Sequence, residues 1–164
     1  MKNTDEIPTK EMCEAAGDLC TALLCSAMIK ADYRNGRITE KELLEMLPEN
    51  TPNRDLVITY LKGECTNSVE RIYKSMRRVI KADETVTQPM IDVGQKLAEH
   101  LTNASCSKAF GYEGLGGCQS LEACLSEVPE YRDLVEDYLE EKICSVAVYY
   151  IAMRRVANEE TGGI

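Results

Sequence analysis

Apolar residues recur along this chain at spacings of three and four, the pattern of helices that bury one face. Met12, Ala15, Ala16, Leu19 and Leu23 share one side of a helix expected over residues 10–32. Thr9 is placed to cap it, Glu11 sits in its first turn where a carboxylate suits the helix dipole, and Asn35-Gly36 ends it. Thr39 and Glu42 make a capping box for a short helix carrying Leu43, Leu44, Met46 and Leu47. Pro48 and the cluster Asn50-Thr51-Pro52-Asn53 turn the chain. Asn53 then caps a helix with Leu56, Val57, Tyr60 and Leu61 on one face, closed by Gly63. The cleanest amphipathic stretch is 67–82, where Val69, Ile72, Tyr73, Met76, Val79 and Ile80 share one arc and Arg71, Lys74, Arg77, Arg78 and Lys81 another.

Residues 83–89 read as a linker ending in Pro89. A helix over 89–105 follows, then the glycine-rich connector 111–117 and a short helix starting at Ser120 with Leu121 and Leu125 in register. Pro129-Glu130 turns into another helix, and a last helix spans 142–158. From Ile143 to Met153 its residues are apolar, Cys or Tyr except for Ser145, spread right round the axis, which predicts burial on all sides. Residues 158–164 read as a frayed tail. Strict alternation is absent, so no strand is predicted.

The pattern is written twice. Arg54-Asp55-Leu56-Val57-x-x-Tyr60-Leu61 recurs 78 residues on as Arg132-Asp133-Leu134-Val135-x-x-Tyr138-Leu139. At that offset, residues 30–62 and 108–140 are identical at twelve of 33 positions. Tyr73-x-x-Met76-Arg77-Arg78-Val79 recurs as Tyr150-x-x-Met153-Arg154-Arg155-Val156 at an offset of 77. Before residue 30 the likeness fades to apolar pattern. The expected fold is therefore all-α: a helical bundle of two tandem repeats of about four helices each. The first would span 1–82 and the second 90–164, packed together as one compact domain. Two units are too few for a solenoid, which needs about three or more.

Composition sharpens this picture. There is no Trp and one Phe, so Leu, Ile, Val, Ala and Met must fill the core. The net charge of −9 is uneven: residues 1–82 hold 13 basic and 13 acidic residues, while residues 83–164 hold 6 and 15. An acidic half repels nucleic acid and suits a basic partner. The eight cysteines form no Cys-x-x-Cys pair, and few fall at matching places in the two repeats, so they are expected to be reduced, largely as small buried hydrophobes. With a polar stretch over 1–10 and no run of 18 apolar residues, a cytoplasmic protein without a membrane span is expected.

Candidate chemistry is sparse. In the stretch 31–43, Asn35, Gly36, Ile38 and Glu42 stand at the fifth, sixth, eighth and twelfth places of a calcium loop, and the stretch resembles the second half of an EF-hand. The resemblance implies calcium. Ala31 and Tyr33 occupy the first and third places, where oxygen ligands belong, so the expectation is an Asn-Gly turn and a capped helix instead. His100, the only imidazole, has no local nucleophile within reach, since Cys106 lies on another face of its helix. The glycine-rich connector lacks the Lys-Ser/Thr of a phosphate loop, and no Glu-x-x-His of di-iron bundles occurs. No catalytic residue, metal or cofactor is assigned.

These residues point to a non-enzymatic interaction protein: an adaptor, a regulator or an inhibitor, of a kind a mobile element would encode. It would dock the acidic face of Glu130, Glu136, Asp137, Glu140 and Glu141 on a basic protein. One alternative is a nucleic-acid-binding regulator using Arg71, Lys74, Arg77, Arg78 and Lys81. Against it, the repeated Arg pair can bridge the repeated acids Asp55 and Asp133 and fix helix packing instead. Another alternative is a ligand-binding or enzymatic bundle with a pocket between the repeats. A homodimer is also open, through the last helix.

Overall fold

The computed structural model describes residues 6–64, 68–82, 84–111 and 120–160. Among them the chain is all-helical, with no strand. The expected glycine-rich connector lies almost wholly outside the described residues, as does the end of the expected tail. No single helix among the described residues is long and apolar enough to cross a membrane.

The contacts divide the chain into two compact units. Unit A is Thr9–Glu84 and holds α1 (Lys10–Cys25), α2 (Ala27–Arg34), α3 (Glu40–Glu45), α4 (Arg54–Leu61) and α5 (Ser68–Val79). Unit B combines residues 6–8 with 85–160 and holds α6 (Gln88–Cys106), α7 (Leu121–Ser126), α8 (Arg132–Leu139) and α9 (Ser145–Glu160).

In unit A, α1 lies along α5, and α4 packs on α1 and α2. The apolar face expected of α1 is the buried one: Met12, Ala16 and Leu19 are within 3% exposure. Leu19, Leu43, Leu56, Val57 and Leu61 form one cluster. Thr9 caps α1 by accepting from the Met12 amide, and Thr39 and Glu42 form the capping box expected for α3. The single helix expected over 10–32 is instead two, broken at Ser26 (φ −90°, ψ 0°). Asn53 precedes α4 in a left-handed conformation, φ 55°, and makes no side-chain cap; its side-chain oxygen accepts from Arg78.

In unit B, α6 lies along α9, and α8 packs on both. The linker expected over 83–89 ends early, because α6 begins at Gln88 with Pro89 in its first turn, where a missing N–H costs nothing. α6 runs into a π-helical turn, Ser107–Gly111, that periodicity did not predict. The expected turn at Pro129-Glu130 is a 3-10 turn. α9 starts three residues later than expected and buries Ala147, Val148, Tyr150, Ile151, Ala152 and Met153, as its apolar circumference requires. The expectation that the cysteines are reduced fails at Cys106, which is disulfide-bonded. Cys13, Cys20, Cys25, Cys124 and Cys144 form no disulfide, and only Cys124 among them is buried.

The two units place matching residues in matching contacts. In unit A, Arg78 donates to both carboxylate oxygens of Asp55 at 2.8 Å; in unit B, Arg155 reaches Asp133 at 2.9 Å. Tyr73 and Tyr150 are both buried, at 1% and 0%. Each donates to a glutamate that also holds the arginine four residues on. Tyr73 and Arg77 share Glu84, with Arg77 Nε at 2.9 Å. Tyr150 and Arg154 share Glu6, at 2.5 and 2.8 Å. Glu6 and Glu84 are themselves 78 residues apart, as are Thr9 and Thr87, Met12 and Met90, Leu19 and Leu97, and Leu23 and Leu101. The identities thus continue to the N-terminal side of residue 30, where apolar pattern alone was expected.

Candidate functional site

α8 and the turns on either side of it carry the acidic residues singled out by sequence. Glu130 is exposed in the 3-10 turn before α8. Glu136 and Asp137 lie half-buried on α8, and Glu140 and Glu141 are exposed just beyond it. Two of the five are ion-paired within the unit. Glu136 accepts from Arg132 Nε at 2.7 Å, and Glu140 meets Lys142 at 2.7 Å. That hydrogen bond holds the Glu140 carboxyl below its usual range. Arg132 also grips Glu122 through two bonds of 2.8 Å, tying α8 to α7.

Set beside unit A, these acids have no acidic counterparts. At an offset of 78 the residues facing Glu130, Glu136, Asp137, Glu140 and Glu141 are Pro52, Ile58, Thr59, Lys62 and Gly63. None is acidic. The helix framework beneath is the same, since α4 and α8 are both eight residues long and both bury the Leu-Val pair that follows Arg-Asp. The turn after the helix is also the same. Gly63 N–H donates to Tyr60 and Glu141 N–H to Tyr138, with φ of 69° and 61°. Glycine meets no steric penalty there, whereas a residue with a Cβ does. Glu141 is therefore a carboxylate held in a conformation that its own side chain disfavours.

Beside these acids an open groove of about 720 Å³ is lined by Ser105, Lys108, Tyr138, Glu141, Lys142 and Cys144 among others. It too has a counterpart that differs. In unit A, Lys30 lies 3.9 Å from the centre of the Tyr60 ring, and the buried Arg71 guanidinium lies 5.1 Å from it. In unit B, Lys108 instead donates to the Leu139 carbonyl at 2.5 Å, and Tyr138 lines the groove.

The basic arc expected on α5 is largely engaged inside unit A. Arg71 is 6% exposed. Lys74 pairs with Glu70, Arg77 with Glu84 and Arg78 with Asp55. Lys81 follows the helix, exposed, at φ 56°. The pairing of Arg78 and Arg155 with Asp55 and Asp133 is the packing role the repeat suggested for the Arg pair.

His100 is buried, and its Nε2 lies 2.6 Å from the Cys124 carbonyl and 3.5 Å from the Cys124 sulfur. Sequence reasoning looked for its partner nearby, at Cys106; the fold brings one from 24 residues away. Cys124 is 0% exposed, so the pair is buried where α7 packs against α6. The EF-hand-like stretch holds Gly36 at φ 73°, and the Glu42 carboxylate accepts from the Thr39 amide and hydroxyl. Among the described residues no group of three or more His, Cys, Asp or Glu converges to hold a metal. Sequence reasoning also missed the contacts of Glu6 and Glu84; extending the 78-residue offset to the N-terminus would have matched the two glutamates.

Comparison with known proteins finds no matching family model, no matching curated protein and no matching solved structure.

Proposed function

We propose that the chain is a tandem duplication of one helical unit whose second copy has become an acidic docking face for a basic protein, acting by contact rather than catalysis. The observation that carries this reading is the replacement of Pro52, Ile58, Thr59, Lys62 and Gly63 by Glu130, Glu136, Asp137, Glu140 and Glu141 on an equivalent framework. Unit A packs its own α4 without those acids, so folding does not call for them. Glu141 adds to the argument, because an unfavourable φ kept at a carboxylate points to a use outside the fold. The alternative of nucleic-acid binding through α5 is weakened by the ion pairs that already engage Lys74, Arg77 and Arg78.

The test is capture from native cell extract by the full chain and by a variant carrying Glu136→Gln, Asp137→Asn, Glu140→Gln and Glu141→Gly. The expected result is a Lys/Arg-rich protein held by the wild type, released as salt is raised, and absent from the variant. Identical captured sets from the two baits would overturn the reading.

A further inference from the structure

A wall that unit A covers is left open in unit B. At the end of α4, Leu61 is 0% exposed. Its counterpart at the end of α8, Leu139, is half-buried and lines the open groove. The cover in unit A is α2, which packs on α4. Ile29 and Tyr33, one turn apart on α2, pack with Tyr60 against the cluster that holds Leu61. Lys30 between them lies over the Tyr60 ring. At the 78-residue offset, Ile29 and Tyr33 become Ser107 and Gly111, so unit B lacks both apolar side chains. The stretch that holds these two is the π-helical turn, a geometry that is rare and concentrated at functional sites. Lys108, the counterpart of Lys30, donates to the Leu139 carbonyl instead. The groove therefore lies between the counterparts of α2 and of the end of α4, with Tyr138, Leu139 and Ile143 as its apolar wall.

We propose that this groove receives an amphipathic helix of the basic partner, seating an apolar pair four residues apart as Ile29 and Tyr33 stand on α2. The proposal rests on the acidic docking reading above and adds what the partner presents: a basic helix read by its apolar anchors. The chain itself supplies the pattern, because α2 covers the equivalent wall in unit A and carries Lys30 and Arg34 against the single acid Asp32. Glu141 belongs both to the acidic face and to the lining of the groove, so apolar and acidic contacts adjoin.

The test uses a synthetic peptide of residues 26–35 with blocked ends, titrated in the millimolar range into the 15N-labelled full chain and followed by amide shifts. A peptide this short is marginally helical alone, so weak binding is expected. Shifts are expected at Lys108, Leu139 and Cys144, and are expected to vanish for a peptide carrying Ile29→Ala and Tyr33→Ala. They should also vanish in Ala109→Trp, which fills the groove from an exposed position; Ser105→Trp does the same if that variant fails to fold. Glu136→Gln, Asp137→Asn and Glu140→Gln leave the groove lining intact and are expected to weaken binding severalfold. Unchanged binding by that variant would remove the acidic reading while the groove stands. Absence of groove shifts, shifts at Tyr60 and Leu61 instead, or groove shifts that appear on concentrating the chain without peptide, the mark of a second copy, would each overturn the proposal.

Discussion

In unit A the turn after α4 is made by Gly63 at φ 69°; in unit B the same turn carries Glu141 at φ 61°. In unit A the helix before that turn shows Ile58 and Thr59; in unit B it shows Glu136 and Asp137. Below this surface little changes. Leu56 and Leu134 are buried, Arg78 and Arg155 grip Asp55 and Asp133, and a buried tyrosine in each unit donates to a glutamate. One framework carries two surfaces. The parts that coincide are those that packing and buried polar groups demand, and the parts that diverge are those that the proposed docking would use. Each substitution below tests one side of that division.

The deepest shared feature should respond most. Met76 and Met153 are both 0% exposed at matching places. Truncation of either to Ala removes buried methylenes and leaves a cavity, at a cost of about 2–5 kcal/mol. Urea unfolding of Met76→Ala and Met153→Ala should give comparable losses. A loss confined to one of them would break the equivalence of the two cores.

The Asp–Arg pairs should respond less, and unequally. The Asp55 side chain is 64% exposed and Arg78 27%, so solvent screens that pair, and Asp55→Asn should cost under about 1 kcal/mol. The Arg155 side chain is only 9% exposed, so Asp133→Asn removes the charged partner of a largely desolvated guanidinium and should cost about 1–3 kcal/mol. Both carboxyls are held below their ordinary range. For Asp55 the hydrogen bond from Arg78 is the main cause. For Asp133, burial pushes the other way and is outweighed by the hydrogen bond and charge of Arg155. A carboxyl lowered by folding stabilises above its unfolded value, about pH 4, and that stability is lost as pH falls through the lower folded value. Wild type should therefore lose its advantage over both Asn variants below about pH 4, measured by thermal unfolding across the acid range. An advantage that persists to pH 2 would remove the ion pairs from the account.

The smallest effect should have opposite signs in the two units. Glu141→Gly relieves a left-handed residue and should stabilise by about 0.5–1 kcal/mol, while Gly63→Glu should destabilise by a similar amount. Equal signs would mean that the two turns are not equivalent.

Much of this was legible in the sequence, for reasons that can be named. The Arg-Asp-Leu-Val and Met-Arg-Arg-Val cassettes are local, and their periodicity marks α4, α5 and α8 directly. The capping residues Thr9, Thr39 and Ser120 stand where their side chains accept. What sequence hid was long-range. Ser26 breaks a helix whose apolar pattern runs on unbroken. The π-helical turn after Cys106 has no periodic signal of its own. Cys106 is paired although its spacing forms no motif, and His100 meets Cys124 only when α7 folds back on α6. The clamps of Glu6 and Glu84 were hidden by lone identities inside dissimilar surroundings. The acidic face was legible residue by residue, and the proposal that it docks a partner rests on its comparison with α4, which lacks those acids.

The most direct measurement takes the variant Glu136→Gln, Asp137→Asn, Glu140→Gln and Glu141→Gly through urea unfolding and partner capture side by side. If the acids are dispensable to the fold and serve docking, the unfolding midpoint stays level or rises while the salt-sensitive basic protein disappears from the captured set. A lowered midpoint with capture intact would place those acids among the fold's own supports and contradict the reading.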